Sequence, residues 1–134
     1  MELKVEAKVE NVDALTTAVN ECLERMGCSM RSMTQIDIAL DELFSNVCNY
    51  AYEGEPGHVN VRISEVQDGN AVRITLEDSG IPFDPLKQKD PDVSKSIHER
   101  AIGGLGIFMV KRTMDDVLYE YRDGLNMLTV IKSL

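Results

Sequence analysis

The sequence predicts an α+β fold, a two-layer α/β sandwich whose mostly antiparallel sheet is covered on one face by helices. Three observations predict it. Residues 2–9, 58–66, 71–78, 117–122 and 125–131 alternate apolar and polar side chains, the pattern of strands with one covered and one open face. Between them lie stretches with apolar residues at helical spacing. Four of the strands fall into pairs joined by short turns, at Asp68-Gly69-Asn70 and at Asp123-Gly124. At 134 residues one domain, 1–134, is expected, and 43% hydrophobic residues suffice for its core.

Leu3, Val5, Ala7 and Val9 alternate with Glu2, Lys4, Glu6 and Lys8, which predicts the first, half-buried strand. Asn11 or Asp13 is placed to cap a helix over about 12–26, with its stripe on Val12, Leu15, Val19, Cys22, Leu23 and Met26. Gly27 stops it, CSMRSM reads as a loop, and Thr34 is the expected cap of the next helix. That helix, Ile36 to Tyr52, is the one the chain is organised around, and EGEPG breaks it. The hairpin of 58–66 and 71–78 follows. Phe83 to Arg100 is polar and without period, so it reads either as a functional lid or as a surface excursion. IGGLGIFMVKRTM then reads as a glycine-rich helix entrance before the last hairpin.

The net charge of -9, from 23 acidic and 14 basic residues, argues against nucleic acid or an anionic membrane as the main partner. It leaves room for a nucleotide at a local positive site and suits a partner with a basic patch. Cys22, Cys28 and Cys48 have neither CxxC nor metal-ligand spacing and read as reduced thiols. The charged, alternating N-terminus is no signal peptide, and no apolar run reaches the ~18 residues of a membrane span. A cytoplasmic protein is expected.

The helix from Ile36 has two faces. Ile36, Leu40, Leu43, Phe44 and Val47 form an apolar stripe, while Gln35, Glu42, Asn46, Asn49 and Glu53 fall within roughly 60° of each other on a polar one. The polar stripe is either a solvated face or a ligand-binding one. On the strand 71–78, Val72, Ile74, Leu76 and Asp78 share one face. Asp78 thus points toward the core and needs a partner, unless the strand has already ended in a turn at Ser79-Gly80. Glycines at a helix entrance expose N–H groups that suit phosphate, but GGLG fits neither a P-loop nor a Rossmann fingerprint.

Taken in order, DELFSN with NYAY, EDSGIPFDP and GGLGIFMVK resemble the N, G1 and G2 boxes of the GHKL ATPase superfamily. Over nearly its whole length the chain is similar to the small bacterial anti-sigma-factor serine kinases, the SpoIIAB and RsbW family. The resemblance implies the Bergerat, or histidine-kinase-like ATPase, fold, with ATP and Mg2+ as cofactors. It implies that Glu42 is the general base and that Asn46 is a magnesium ligand. Asp78 would accept a hydrogen bond from the adenine amino group, and Gly80 would let the backbone approach the base. Gly103, Gly104 and Gly106 would lie near the phosphates, and Thr129 near the adenine. Tyr50 stands where several members have histidine. Arg100 lies near a position where some relatives carry an arginine, displaced by about two residues. Lys95 and Lys111 are further candidates for phosphate charge or surface lysines, and His98 reads as a solvated residue.

The implied activity is a serine/threonine protein kinase that phosphorylates a small antagonist protein and sequesters a sigma factor. Alternatives are a nucleotide-binding regulatory module of the same fold, and a partner-switching regulator without a sigma factor. The resemblance also allows a homodimer.

Overall fold

The computed structural model describes residues 1–87 and 104–134, with the backbone alone at 104 and 105. Strands β1 (Glu2–Glu6), β2 (His58–Val66), β3 (Ala71–Asp78), β4 (Asp116–Arg122) and β5 (Leu125–Ser133) form one antiparallel sheet in the order β1-β2-β3-β5-β4. Helices α1 (Val12–Arg25), α2 (Met30–Asn46) and α3 (Gly104–Thr113) complete the α+β fold expected from the sequence.

Register decides which side chains meet. Val59 pairs with Asp78, Val61 with Leu76, and Ile63 with Ile74. Across the next ladder Ile74 pairs with Val130, Leu76 with Leu128, and Asp78 with Asn126. Directly opposed residues share a face, so these side chains form one continuous layer. That layer joins Leu15, Val19 and Leu23 of α1, Ile36, Leu40, Leu43 and Phe44 of α2, and Ile107 and Val110 of α3 in a single core. Phe44 is fully buried. Truncating a side chain so placed costs about 3–5 kcal/mol, through lost transfer energy and the cavity left behind.

The connections explain the boundaries. Asp123 and Gly124 both have positive φ, 56° and 79°, as a two-residue hairpin turn requires. The other hairpin is wider than a tight turn at Asp68-Gly69-Asn70. Its four-residue loop runs from Gln67 to Asn70, with Gln67, Asp68 and Gly69 all at positive φ. Lys132 Nζ donates to the Thr113 carbonyl at 2.7 Å, placing a cation at the negative end of α3.

Three helix-end expectations are corrected. Asn11 precedes α1 but caps nothing; its amide donates to the Glu6 carbonyl instead. α2 begins at Met30, not near Ile36, because Ser29 accepts a hydrogen bond from Ser32 N at 3.1 Å and caps it. Thr34 lies inside the helix, bonded back to the Met30 carbonyl. At the other end, α2 passes into a π-helical turn over Val47–Ala51, and Glu53 turns away at φ 51°. Glu53 therefore leaves the polar stripe, while Gln35, Glu42 and Asn46 remain on α2.

Ser29→Ala is expected to lower unfolding stability by about 1 kcal/mol, the usual worth of a helix cap. Thr34→Ala should change it by less than about 0.5 kcal/mol. Urea midpoints of the two variants decide which residue starts the helix.

Candidate functional site

Asp78 ends β3 on the covered face and is only 5% exposed. A carboxylate so placed needs hydrogen-bond donors. Asn126, its cross-strand partner, donates from Nδ2 to Asp78 Oδ1 at 2.9 Å, and Gly80 N donates to the same oxygen at 2.9 Å. Burial pushes the Asp78 carboxyl above its usual range, and the bonds from Asn126 and Gly80 pull it partly back.

Asn126 does more than meet Asp78. Its Nδ2 also donates to the Ile81 carbonyl at 2.8 Å. Its Oδ1 accepts from Phe83 N at 3.1 Å and from the Tyr119 hydroxyl. One buried amide therefore ties β3, β4, β5 and the strap after β3 together. The strap is also held from α2's side. Ile81 N donates to the Ala51 carbonyl at 2.8 Å, and a Cβ on Gly80 would overlap that carbonyl. Tyr52 hydroxyl accepts from Ser79 N at 3.0 Å and donates to the His58 carbonyl at 2.6 Å. Gly80 is thus required by its contact with the end of the helix.

Above this floor lies a solvent-open cleft of about 360 Å³, lined by Asn46, Val47 and Ala51 on one side and Asp78, Phe83, Tyr119 and Asn126 on the other. Only about 30 Å³ of that space is wide enough to admit water, room for one or two molecules. As the strap carrying Phe83 and Pro85 stands, this cleft is too narrow to hold a purine ring. The ring of Phe83, which lines the cleft, lies with its centroid 5.7 Å from that of Tyr50.

Glu42 and Asn46 lie one helical turn apart on α2, and Asn46 Nδ2 donates to Glu42 Oε1 at 3.5 Å. With its nitrogen turned to Glu42, the Asn46 amide has an oxygen that could serve a cation. Burial raises the Glu42 carboxyl above its usual range, the Asn46 bond opposes this, and nearby Asp41 adds to it. Gly106, in the first turn of α3, packs directly on the Glu42 carboxylate. Among the described residues no three His, Cys, Asp or Glu side chains could hold a metal together. Asn46 is the residue that would hold a magnesium ion, an ion that usually keeps several waters.

The structure thus brings Glu42, Asn46, Asp78, Gly80 and Gly106 to one end of the sandwich, with Gly104 opening α3. Thr129 does not join them. It pairs with Thr75 on the opposite, open face of the sheet, and the two hydroxyls share a hydrogen bond of 3.0 Å. The residue opposite Asp78 is Asn126, which the motifs did not mark. Its phase did: Asn126, Leu128 and Val130 are the inward residues of β5. Gly103, Arg100, Lys95 and His98 lie outside the described residues, as does most of the expected lid. Lys111 is half-buried on α3. Burial lifts the Cys48 thiol to about 11, so it is a poor nucleophile.

The profile of the histidine kinase-like ATPase domain matches residues 5–132. The chain belongs to that family. Among curated relatives it is 27% identical, over 132 residues, to the serine-protein kinase RsbW of Bacillus thuringiensis strain Al Hakam, covering 96% of this chain and 81% of that one. The RsbW of Bacillus mycoides strain KBAB4 is 26% identical over the same coverage. Solved structures agree in fold. The histidine kinase domain of the blue-light activated kinase EL346 of Erythrobacter litoralis superposes with a TM-score of 0.60 at 15% identity, covering 94% of this chain. The present chain spans 60% of that longer one. The histidine kinase AdeS of Acinetobacter baumannii gives a TM-score of 0.55 at 14% identity, with 99% of this chain and 67% of AdeS covered. Membership in an ATPase domain family makes ATP the expected nucleotide. Among the described residues no helix is long and apolar enough to cross a membrane.

Asn126→Ala removes donors and acceptors that four buried or half-buried groups depend on. A loss of about 2–3 kcal/mol is expected, since each orphaned polar group costs about 1–3 kcal/mol and the cavity admits some water. Chemical unfolding checks it, and a loss under about 0.5 kcal/mol contradicts the clamp.

Proposed function

We propose that this histidine kinase-like ATPase domain is an ATP-dependent serine/threonine protein kinase of the anti-sigma-factor type. One observation carries the reading. A half-buried glutamate, Glu42, stands one turn from a cation-competent amide, Asn46, and Asn46 lines the same cleft as the buried Asp78. The naming of the RsbW relatives as serine-protein kinases supports it.

The roles follow from the chemistry of each group. The Asp78 carboxylate accepts the amino hydrogen of adenine, a donor that guanine lacks at that position. The strap from Gly80 to Phe83 closes over the base. Asn46 Oδ1 would hold magnesium, which would supply charge neutralisation at the phosphates. The N-terminal turn of α3 offers N–H groups to phosphate oxygens. Glu42 then holds the acceptor hydroxyl and takes its proton as the hydroxyl oxygen bonds to the γ-phosphorus. The bond to the β,γ-bridging oxygen breaks, and ADP leaves with its electron pair. Burial favours this role, because it raises the affinity of the Glu42 carboxylate for a proton.

The acceptor proposed is a serine or threonine of a small antagonist protein, and the second partner a sigma factor. Both would dock on a strongly acidic molecule, of net charge -9, so basic patches on the partners are expected. The setting proposed is the cytoplasm.

Labelled ATP, magnesium and a candidate antagonist test the reading. Glu42→Ala should cut phosphate transfer by about 10²–10⁴-fold while ATP still binds. Asn46→Ala should weaken magnesium-ATP more than magnesium-free adenosine. Tight ATP binding with no transfer to any candidate antagonist would leave a nucleotide-binding regulatory module instead.

A further inference from the structure

Gly106 is helical, the third residue of α3, so its backbone does not demand glycine. Its surroundings do. A Cβ built on Gly106 would overlap the Glu42 carboxyl carbon and both carboxylate oxygens. The contact spans two elements, α2 and α3, whose facing side chains Ile36, Leu40, Leu43, Ile107 and Val110 belong to one core. The helices are therefore held at a fixed separation, and the Glu42 carboxylate occupies the space that a side chain at position 106 would fill.

We propose that Gly106 is a positioning residue, whose missing side chain forms the seat that holds the Glu42 carboxylate against the first turn of α3. This rests on the reading of Glu42 as the base. It differs from a role in phosphate approach, which concerns ligand contact and not the protein's own carboxylate. Two forces keep Glu42 in the seat. Asn46 Nδ2 donates to its Oε1 from the N-box helix. The N-terminal end of α3 carries partial positive charge, which favours a carboxylate beside it. The base is thereby registered to the helix that also faces the phosphates.

The seat makes a particular kind of damage predictable. The obstacle to a methyl group at 106 is the far end of a flexible side chain, which can swing away. At Gly80 the obstacle is the Ala51 backbone carbonyl, which cannot. Gly106→Ala should therefore leave the fold nearly intact while displacing the carboxylate.

The experiment pairs a structural readout with a kinetic one. In protein with ¹³C-labelled glutamate, the Glu42 carboxyl signal is assigned by its loss in Glu42→Gln. It is expected to shift in Gly106→Ala while the other glutamate signals stay in place. Transfer to the antagonist is expected to fall at least tenfold in kcat, a larger factor than any change in the ATP dissociation constant. In a Glu42→Ala background, adding Gly106→Ala should cost nothing further. An unmoved Glu42 signal overturns the proposal. So does a loss that appears as weaker ATP binding and persists in the Glu42→Ala background, which would assign Gly106 to the phosphates. If the parent protein transfers no phosphate, the kinase reading fails, and the carboxyl signal alone still decides whether the seat exists.

Discussion

A buried carboxylate is the constraint on which this end of the molecule depends. Asp78 continues the inward phase of β3, where Val72, Ile74 and Leu76 are buried. Left without donors, it would cost several kcal/mol. Asn126 relieves that cost and, with its remaining hydrogen-bonding capacity, fixes Ile81, Phe83 and Tyr119. The same amide that makes the carboxylate tolerable therefore shapes the wall of the cleft. A hydrophobic residue at 126 would remove the donor and leave the acid buried.

The organising helix reaches this pair through its irregular end. A π-helical turn over Val47–Ala51 widens the helix just where Ala51 meets Gly80 and Tyr52 meets Ser79. Such turns accompany functional sites because they re-aim side chains without ending the helix. Two glycines that invite a ligand explanation have protein explanations. Gly80 clears a backbone carbonyl, and Gly106 clears the Glu42 carboxylate. The first obstacle is backbone and rigid, the second the end of a flexible side chain.

Much of this was legible in the sequence. The strands 58–66 and 71–78 have their expected limits because period-two alternation is bounded by turn residues at both ends. The last hairpin was readable because Asp123-Gly124 accepts positive φ at both positions. The start of α2 was not, since Met30 is 75% exposed and breaks the apparent stripe, while the buried Ser32 is polar. Its end was, since the helical run closes at Tyr52 just before EGEPG, although no residue marks the change to a π-turn over Val47–Ala51. At the site, Glu42, Asn46 and Asp78 followed from motif and phase together. Thr129 came from resemblance and lost to phase, for Leu128 and Val130 already claim the inward face of β5. Met127 and Ile131 obscured that count, being apolar residues on the open face.

The proposed function requires a purine nucleotide and its metal to occupy the cleft between α2 and the strap after β3. Amide and side-chain NMR signals followed during titration with magnesium-ATP test it most directly. The account predicts saturable shifts at Asn46, Asp78, Gly80, Phe83 and the Asn126 side chain, with Arg73, Met127 and Thr129 on the open face unchanged. Shifts confined to the open face, or none at saturating nucleotide, would contradict it.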